Sequence, residues 1–390
     1  MDRRRIAALL VTVGLVGHGF FVPISIAGMQ IALAVAALGL FLDPPRPLRT
    51  PLDLPAAAFV LVCILSDLVS PFGAPPLAFA TLWRALFGYF VVAHGLRKQP
   101  RTPLFAAAAI GLSIAAVVGL VQYRTGVDLV HLAGLRSQAA LVQAPGVPGR
   151  YGAMGFFISR LTFGHIATIL TALLAGSLAS GVIEKRRSLF AIAVALSLSA
   201  VAVTFDRAAW LGLAVAALAI LFMTRNRLVF GAILAGVLLV AALQPGVRQR
   251  FRSSFSAQAN GDRVFIWARA QEIIRDHPLR GIGFGNYPRV CGAYYDRVDK
   301  TFPMRTWAHN LELSTLAETG PLGLLCLFWL LGAAAVMLVR KRSAGGLAAL
   351  LAFVAVAQAH DLLYDNKVMY ALWLAVALAA STGSQKAKAA

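Results

Sequence analysis

The 390-residue chain is 59% hydrophobic and only 13% charged, with mean hydropathy +0.75 and a formal net charge of +20. This composition excludes a soluble fold. The apolar residues gather in runs that approach the roughly 20 residues needed to cross hydrocarbon, and such runs must be helices, because every backbone N–H and C=O has to be satisfied within its own segment.

In chain order, the basic start Arg3-Arg4-Arg5 and the apolar run behind it resemble a signal peptide. No small-residue cleavage site follows, so the run reads as a first membrane helix near 6–22. Further spans are expected near 24–42, 54–70, 77–96 and 103–123, then 161–183, 188–204, 207–224 and 227–243, and finally 311–339, 344–364 and 367–381. The fold class is therefore all-α and polytopic, with about twelve spans. Short cytoplasmic loops hold the Lys/Arg excess. Arg46, Arg49, Arg97, Lys98, Arg101, Lys185-Arg186-Arg187, Arg225, Arg227, Arg340-Lys341-Arg342, Lys386 and Lys388 all fall on one side, whereas the connections near Pro23 and at 71–76 carry no Lys or Arg. Both termini are thus expected in the cytoplasm. The division is 1–243 (about nine spans), an outer loop or lid at 244–310, a last group of spans at 311–381 and a tail at 382–390.

Two segments fall outside, 124–160 and 244–310. The first carries Arg124, Arg136, Arg150 and Arg160, a turn-forming Pro145-Gly146-Val147-Pro148-Gly149, and an interfacial helix expected over Leu129–Val142. The second holds eleven Lys/Arg against five Asp/Glu. Long loops translocate regardless of charge and arginine also touches lipid headgroups, but the set as a whole points to an anionic ligand. Nucleic acid is excluded, since no nucleic-acid motif accompanies the charge. Arg207 sits in a very short outward turn, where a charge faces a cavity or a partner. Asp262 is expected to cap a helix whose N-terminus carries Arg263, a position suited to anions. Pro278 ends that helix. Gly281-Ile282-Gly283-Phe284-Gly285-Asn286 then reads as a turn, its spacing being wrong for a dinucleotide fingerprint.

The chain re-enters apolar sequence at Trp307-Ala308-His309-Asn310. Glu312 follows His309 by one helical turn and is placed to orient its ring, and Gly320-Pro321 is expected to bend the helix. His360-Asp361 and Asp365 are placed to line an outward cavity, while His165 and His94 are weaker candidates. Cys63 and Cys326 fall in spans and Cys291 outside, so no disulfide is expected.

The segment 309–323, HNLELSTLAETGPLG, resembles the signature of the O-antigen ligase/polymerase superfamily: His, then Asn, Ser or Gln, nine free residues, Gly, and Gly, Thr or Tyr three further on. His309, Asn310, Gly320 and Gly323 meet every term, and Arg207 and Arg263 stand where the family pattern has arginines. The resemblance implies a GT-C-type glycosyltransferase in the bacterial inner membrane, its large periplasmic loop carrying amphipathic helices and its active site facing the periplasm. The donor would be a glycan on undecaprenyl pyrophosphate. The acceptor for an O-antigen ligase is a sugar hydroxyl of lipid A–core oligosaccharide. His309 would be general base, with Arg207 and Arg263 stabilising the leaving pyrophosphate and inversion at the anomeric centre. Asn310, Glu312, Arg136, Arg150, Arg280, Arg305, His360 and Asp361 are further candidates for substrate contact. No Asp-x-Asp pair is present for Mg²⁺ or Mn²⁺, so no metal or other cofactor is expected. Membrane lipids are the remaining partners. An O-antigen polymerase, a protein O-oligosaccharyltransferase and, more remotely, a lipid or glycan transporter stay open as alternatives.

Overall fold

The computed structural model describes residues 2–381 except 48, 74, 76–77, 98, 136–140, 145–146, 225–244, 254–256 and 296–306. Apart from an isolated bridge between Gln143 and Tyr151, the regular structure among the described residues is helical. The helices are α1 (Arg3–Phe21), α2 (Ile26–Leu42), α3 (Asp53–Leu68), α4 (Ala78–Gly95), α5 (Thr102–Thr125), α6 (Leu129–Leu132), α7 (Arg160–Ala179), α8 (Arg187–Ala202), α9 (Arg207–Met223), α10 (Pro245–Ser253), α11 (Ala257–Asp276), α12 (Tyr287–Tyr295), α13 (Leu311–Arg340), α14 (Ala344–Ala357) and α15 (Asn366–Ala380). Four of them, α1, α5, α7 and α13, are long and apolar enough to cross a membrane, and five shorter apolar helices accompany them. The chain is a multi-pass helical membrane protein. The expected span at 227–243 lies outside the described residues.

Small residues let the helices approach closely, as they do where lipid removes the hydrophobic drive for association. A Cβ on Gly14 of α1 would sit 2.3 Å from the Ala36 amide nitrogen of α2, and one on Gly176 of α7 would sit 2.5 Å from Gly345 Cα of α14. At the centre, α15 is buried along Val368–Ala379, and α7 is buried over nearly its whole length. These two and α14 form the pillar on which the outer residues stand.

Three expectations are corrected here. The outer-loop helix closes at Leu132, because Gly134 takes a left-handed φ of +70°. The eleventh span ends at Ala357 instead of 364: Ala359 O is taken by Arg263, and Asp361 turns to accept from the His309 N–H. Helix α11 starts at Ala257, so Asp262 lies inside it and Arg263 is not at its N-terminus. The helix-forming Ala257, Gln258 and Ala259 carry the pattern upstream of Gly261.

The outer segment does more than lie on a surface. Ile266, Ala270 and Ile273 of α11, Ile282, and Tyr287, Val290, Cys291, Tyr294 and Tyr295 of α12 form a second apolar core with Ala308 and Ala317. Cys291 is therefore buried, not exposed as its loop position suggested, and all three cysteines are free.

Candidate active site

The site is organised by a break in α13. Gly320 has φ +67° and ψ −173°, a conformation open in practice to glycine alone, and Pro321 follows it. The break frees carbonyls that the outer turn uses: Ile282 N–H donates to Ala317 O and Gly283 N–H to Glu318 O, each at 2.9 Å. Ser66 of α3 donates to Glu318 O at 2.7 Å, and Asn286 Nδ2 donates to Gly73 O at 2.7 Å. The Glu318 carboxylate accepts from Tyr287 N–H at 3.0 Å and from the Tyr364 hydroxyl. Gly281, Gly283 and Gly285 all have positive φ, as the expected turn requires. Phe284 stacks on Tyr364 at 5.3 Å, and Trp307 lies against the same ring at 4.3 Å. The glycine-rich turn thereby locks the outer segment onto the membrane helices.

Beside this lock opens a cavity of about 320 Å³. Ser159, Thr162 and His165 of the α7 end, Trp307 and His309 of the re-entry point, His360, Asp361, Tyr364 and Asp365 between α14 and α15, and Lys367 at the start of α15 line it. His309 is held in a left-handed backbone conformation, φ +51°. A non-glycine residue in that region costs on the order of 1–3 kcal/mol, and such strain clusters at functional sites. Both sides of its backbone are gripped. Asp361 Oδ2 accepts its N–H at 2.5 Å, and Arg263 Nη1 donates to its carbonyl at 3.3 Å and to Ala359 O at 2.6 Å. Ser314 donates its hydroxyl to the other Asp361 oxygen. Burial lifts the Asp361 carboxyl to about 6, against the hydrogen bonds that favour its charged form.

Behind His309 stands His360, their rings edge-on at 6.2 Å, and behind that His165 at 4.5 Å. Burial, and then the neighbouring His165, push the His360 imidazole well below its ordinary value. Asp206 closes the row, 2.8 Å from His165 Nε2. Burial would raise its carboxyl, but the neighbouring His165, then His360 and the Ala208 N–H, outweigh it and hold Asp206 well below the usual carboxylate range.

The other sequence candidates fall in different places. Asn310 caps α13, accepting from Leu313 N–H at 2.9 Å, and donates to Gln358 O. Glu312 accepts from Gln358 Nε2 at 2.7 Å; the carboxylate that meets His309 at its backbone is Asp361. Arg207 opens α9 directly after the buried cap Asp206. Arg150 donates to Arg124 O at 2.8 Å and lies over Tyr123, and Arg280 is exposed; neither lines the cavity. Arg136 and Arg305 lie outside the described residues. His165 is the residue that sequence reasoning undervalued. A lone histidine in an apolar helix gives no local sign of partners 41 and 195 positions away, 206 − 165 and 360 − 165.

The described structure is thus a multi-pass helical membrane protein with a histidine-lined cavity near the ends of α7, α13, α14 and α15. Residues 192–328 match the family model Wzy_C, described as O-Antigen ligase, and this match supports membership of the O-antigen ligase/polymerase superfamily. The match includes Arg207, Arg263 and His309. No curated protein matches the chain.

Proposed function

We propose that the protein is an O-antigen ligase that transfers glycan from undecaprenyl pyrophosphate to a sugar hydroxyl of lipid A–core at the periplasmic face of the inner membrane. The observation that carries this reading is His309, a strained residue whose backbone is clamped by Asp361 and Arg263 at the wall of the cavity within the family's own domain. The His309 ring takes the acceptor proton, since an imidazole works near neutral pH. The acceptor oxygen forms a bond to the anomeric carbon as the bond to the pyrophosphate oxygen breaks. Undecaprenyl pyrophosphate leaves with the electron pair, and attack from the opposite face inverts the centre. Arg207, at the first turn of α9, meets the leaving phosphates with its guanidinium and the adjacent helix N-terminus. Arg263 adds positive charge from its place over the His309 backbone. No Mg²⁺ or Mn²⁺ is required at the phosphate.

The test gives purified protein a polyprenyl-linked donor with lipid A–core or with growing glycan as acceptor. Glycan on lipid A–core supports the ligase; extension of the lipid-linked glycan alone replaces it with a polymerase. H309A should lose transfer while still inserting and folding. Full turnover in H309A would remove it as base.

A further inference from the structure

Behind His309, three metal-ligating side chains meet at one point. His165 comes from α7, Asp206 from the turn before α9 and His360 from the turn after α14, and their donor atoms all lie within 4.8 Å of one another. The residues are 2%, 4% and 9% exposed, so water does not solvate the cluster from outside. Both imidazole Nε2 atoms face the same carboxylate, His165 on Oδ2 at 2.8 Å and His360 on Oδ1 at 3.9 Å.

As a hydrogen-bonded set this is poor. His165 Nε2 and Asp206 Oδ2 lie 2.8 Å apart, yet both are buried without a hydrogen-bond partner. The 3.9 Å contact is too long for a hydrogen bond at all. Buried polar atoms in that condition are destabilising and call for an unseen partner. As a ligand set the same geometry is good. A tetrahedral ion with donors at roughly 2.0–2.1 Å keeps neighbouring donors about 3.3 Å apart, between the two distances found here.

We propose that His165, Asp206 and His360 bind one divalent transition-metal ion of the zinc class, with a fourth coordination position open to the cavity. His165 and His360 both line that cavity, which supplies the route of entry and room for an oxygen ligand in the fourth position. Two imidazoles and one carboxylate select zinc-like ions over Mg²⁺, which demands oxygen donors. The nearby guanidinium groups are turned to backbone carbonyls: Arg263 to His309 O and Ala359 O, and Arg160 to Thr204 O. One carboxylate leaves a divalent ion under-compensated, so an anionic oxygen is the preferred fourth ligand. The site does not depend on the transfer reaction, and only Asp206 of its three ligands lies within the family match.

The test titrates the full-length protein, purified in detergent and stripped with chelator, with Co²⁺ and no glycan substrate. One Co²⁺ per chain should bind with the intense visible d–d bands of tetrahedral coordination, Zn²⁺ should displace it, and Zn²⁺ should raise the thermal midpoint. H360A, at the cavity face, and the volume-preserving D206N should each lose the bands, while H131A keeps them. A wild-type protein with neither bands nor a Zn²⁺-dependent midpoint overturns the proposal, as do bands that persist in H360A and D206N. Both results are read without any measurement of transfer, so they separate this site from the proposed reaction.

Discussion

Replacing Arg263 with alanine tests whether His309 is set in place from behind. Its Nη1 donates to Ala359 O at 2.6 Å and to His309 O at 3.3 Å, tying the turn after α14 to the residue before the α13 cap. A hydrogen bond to a charged group contributes about 1.5–3 kcal/mol. The second contact is long and the residue partly exposed, so the pair counts as one full bond. If that energy holds the His309 ring in its working position, its loss lowers turnover by about 10- to 150-fold. The effect should appear in kcat, with donor KM changed little, because the lost interaction orients the base. Lysine, which keeps one charge but not the planar fork, should recover part of the rate. The assay is steady-state transfer with donor and acceptor varied separately. Unchanged kcat with a large rise in donor KM would refute the positioning role and leave Arg263 as a phosphate ligand.

Arg207→Ala should act in the opposite sense, raising donor KM more than it lowers kcat, and equal donor affinity in variant and parent would count against its contact with phosphate. Gly320→Ala should unfold the protein at lower temperature: a Cβ there would sit 2.2 Å from Leu279 O in a backbone conformation closed to alanine, and strain plus overpacking amounts to about 2–6 kcal/mol. A thermal midpoint equal to the parent's would show that the break tolerates a side chain. Tyr364→Phe removes the hydroxyl that donates to the buried Glu318, at a cost of about 1–3 kcal/mol, read as a lower midpoint in the same detergent. Arg150→Ala, which removes a partly buried side chain held by a nearby carbonyl and a tyrosine face, should leave transfer within about twofold and cost about 1 kcal/mol of stability; loss of donor binding would return it to the site.

The sequence made the helical membrane architecture plain, because lipid leaves an apolar run only one way to satisfy its backbone. It also exposed His309 and the break at Gly320-Pro321, since a histidine at a membrane boundary and a Gly-Pro pair inside a span are both locally unusual. The start of α11 was hidden for a local reason too. Gly261-Asp262 has the chemistry of a cap, and the helix-forming Ala257, Gln258 and Ala259 before it run the helix through it. Partners distant in the chain left no such trace. Asp361 as the cap of the His309 N–H, and His165 beside Asp206 and His360, depend on how α7, α9 and α14 pack, which small residues such as Gly176 and Gly345 decide without carrying any chemical label.

The lock between the glycine-rich turn and the broken helix also sets an order of events during synthesis. Ser66 and Glu318 are 252 residues apart in the chain, and the turn at 281–286 is held between them. A nascent chain that has delivered the outer segment to its side of the membrane still lacks Ala317 and Glu318, the carbonyls to which that segment anchors. His309 gains its Asp361 clamp later still. The wall of the cavity is therefore completed only after α14 and the turn beyond it have been made, and a chain cut before α14 lacks the Asp361 carboxylate that clamps the His309 backbone.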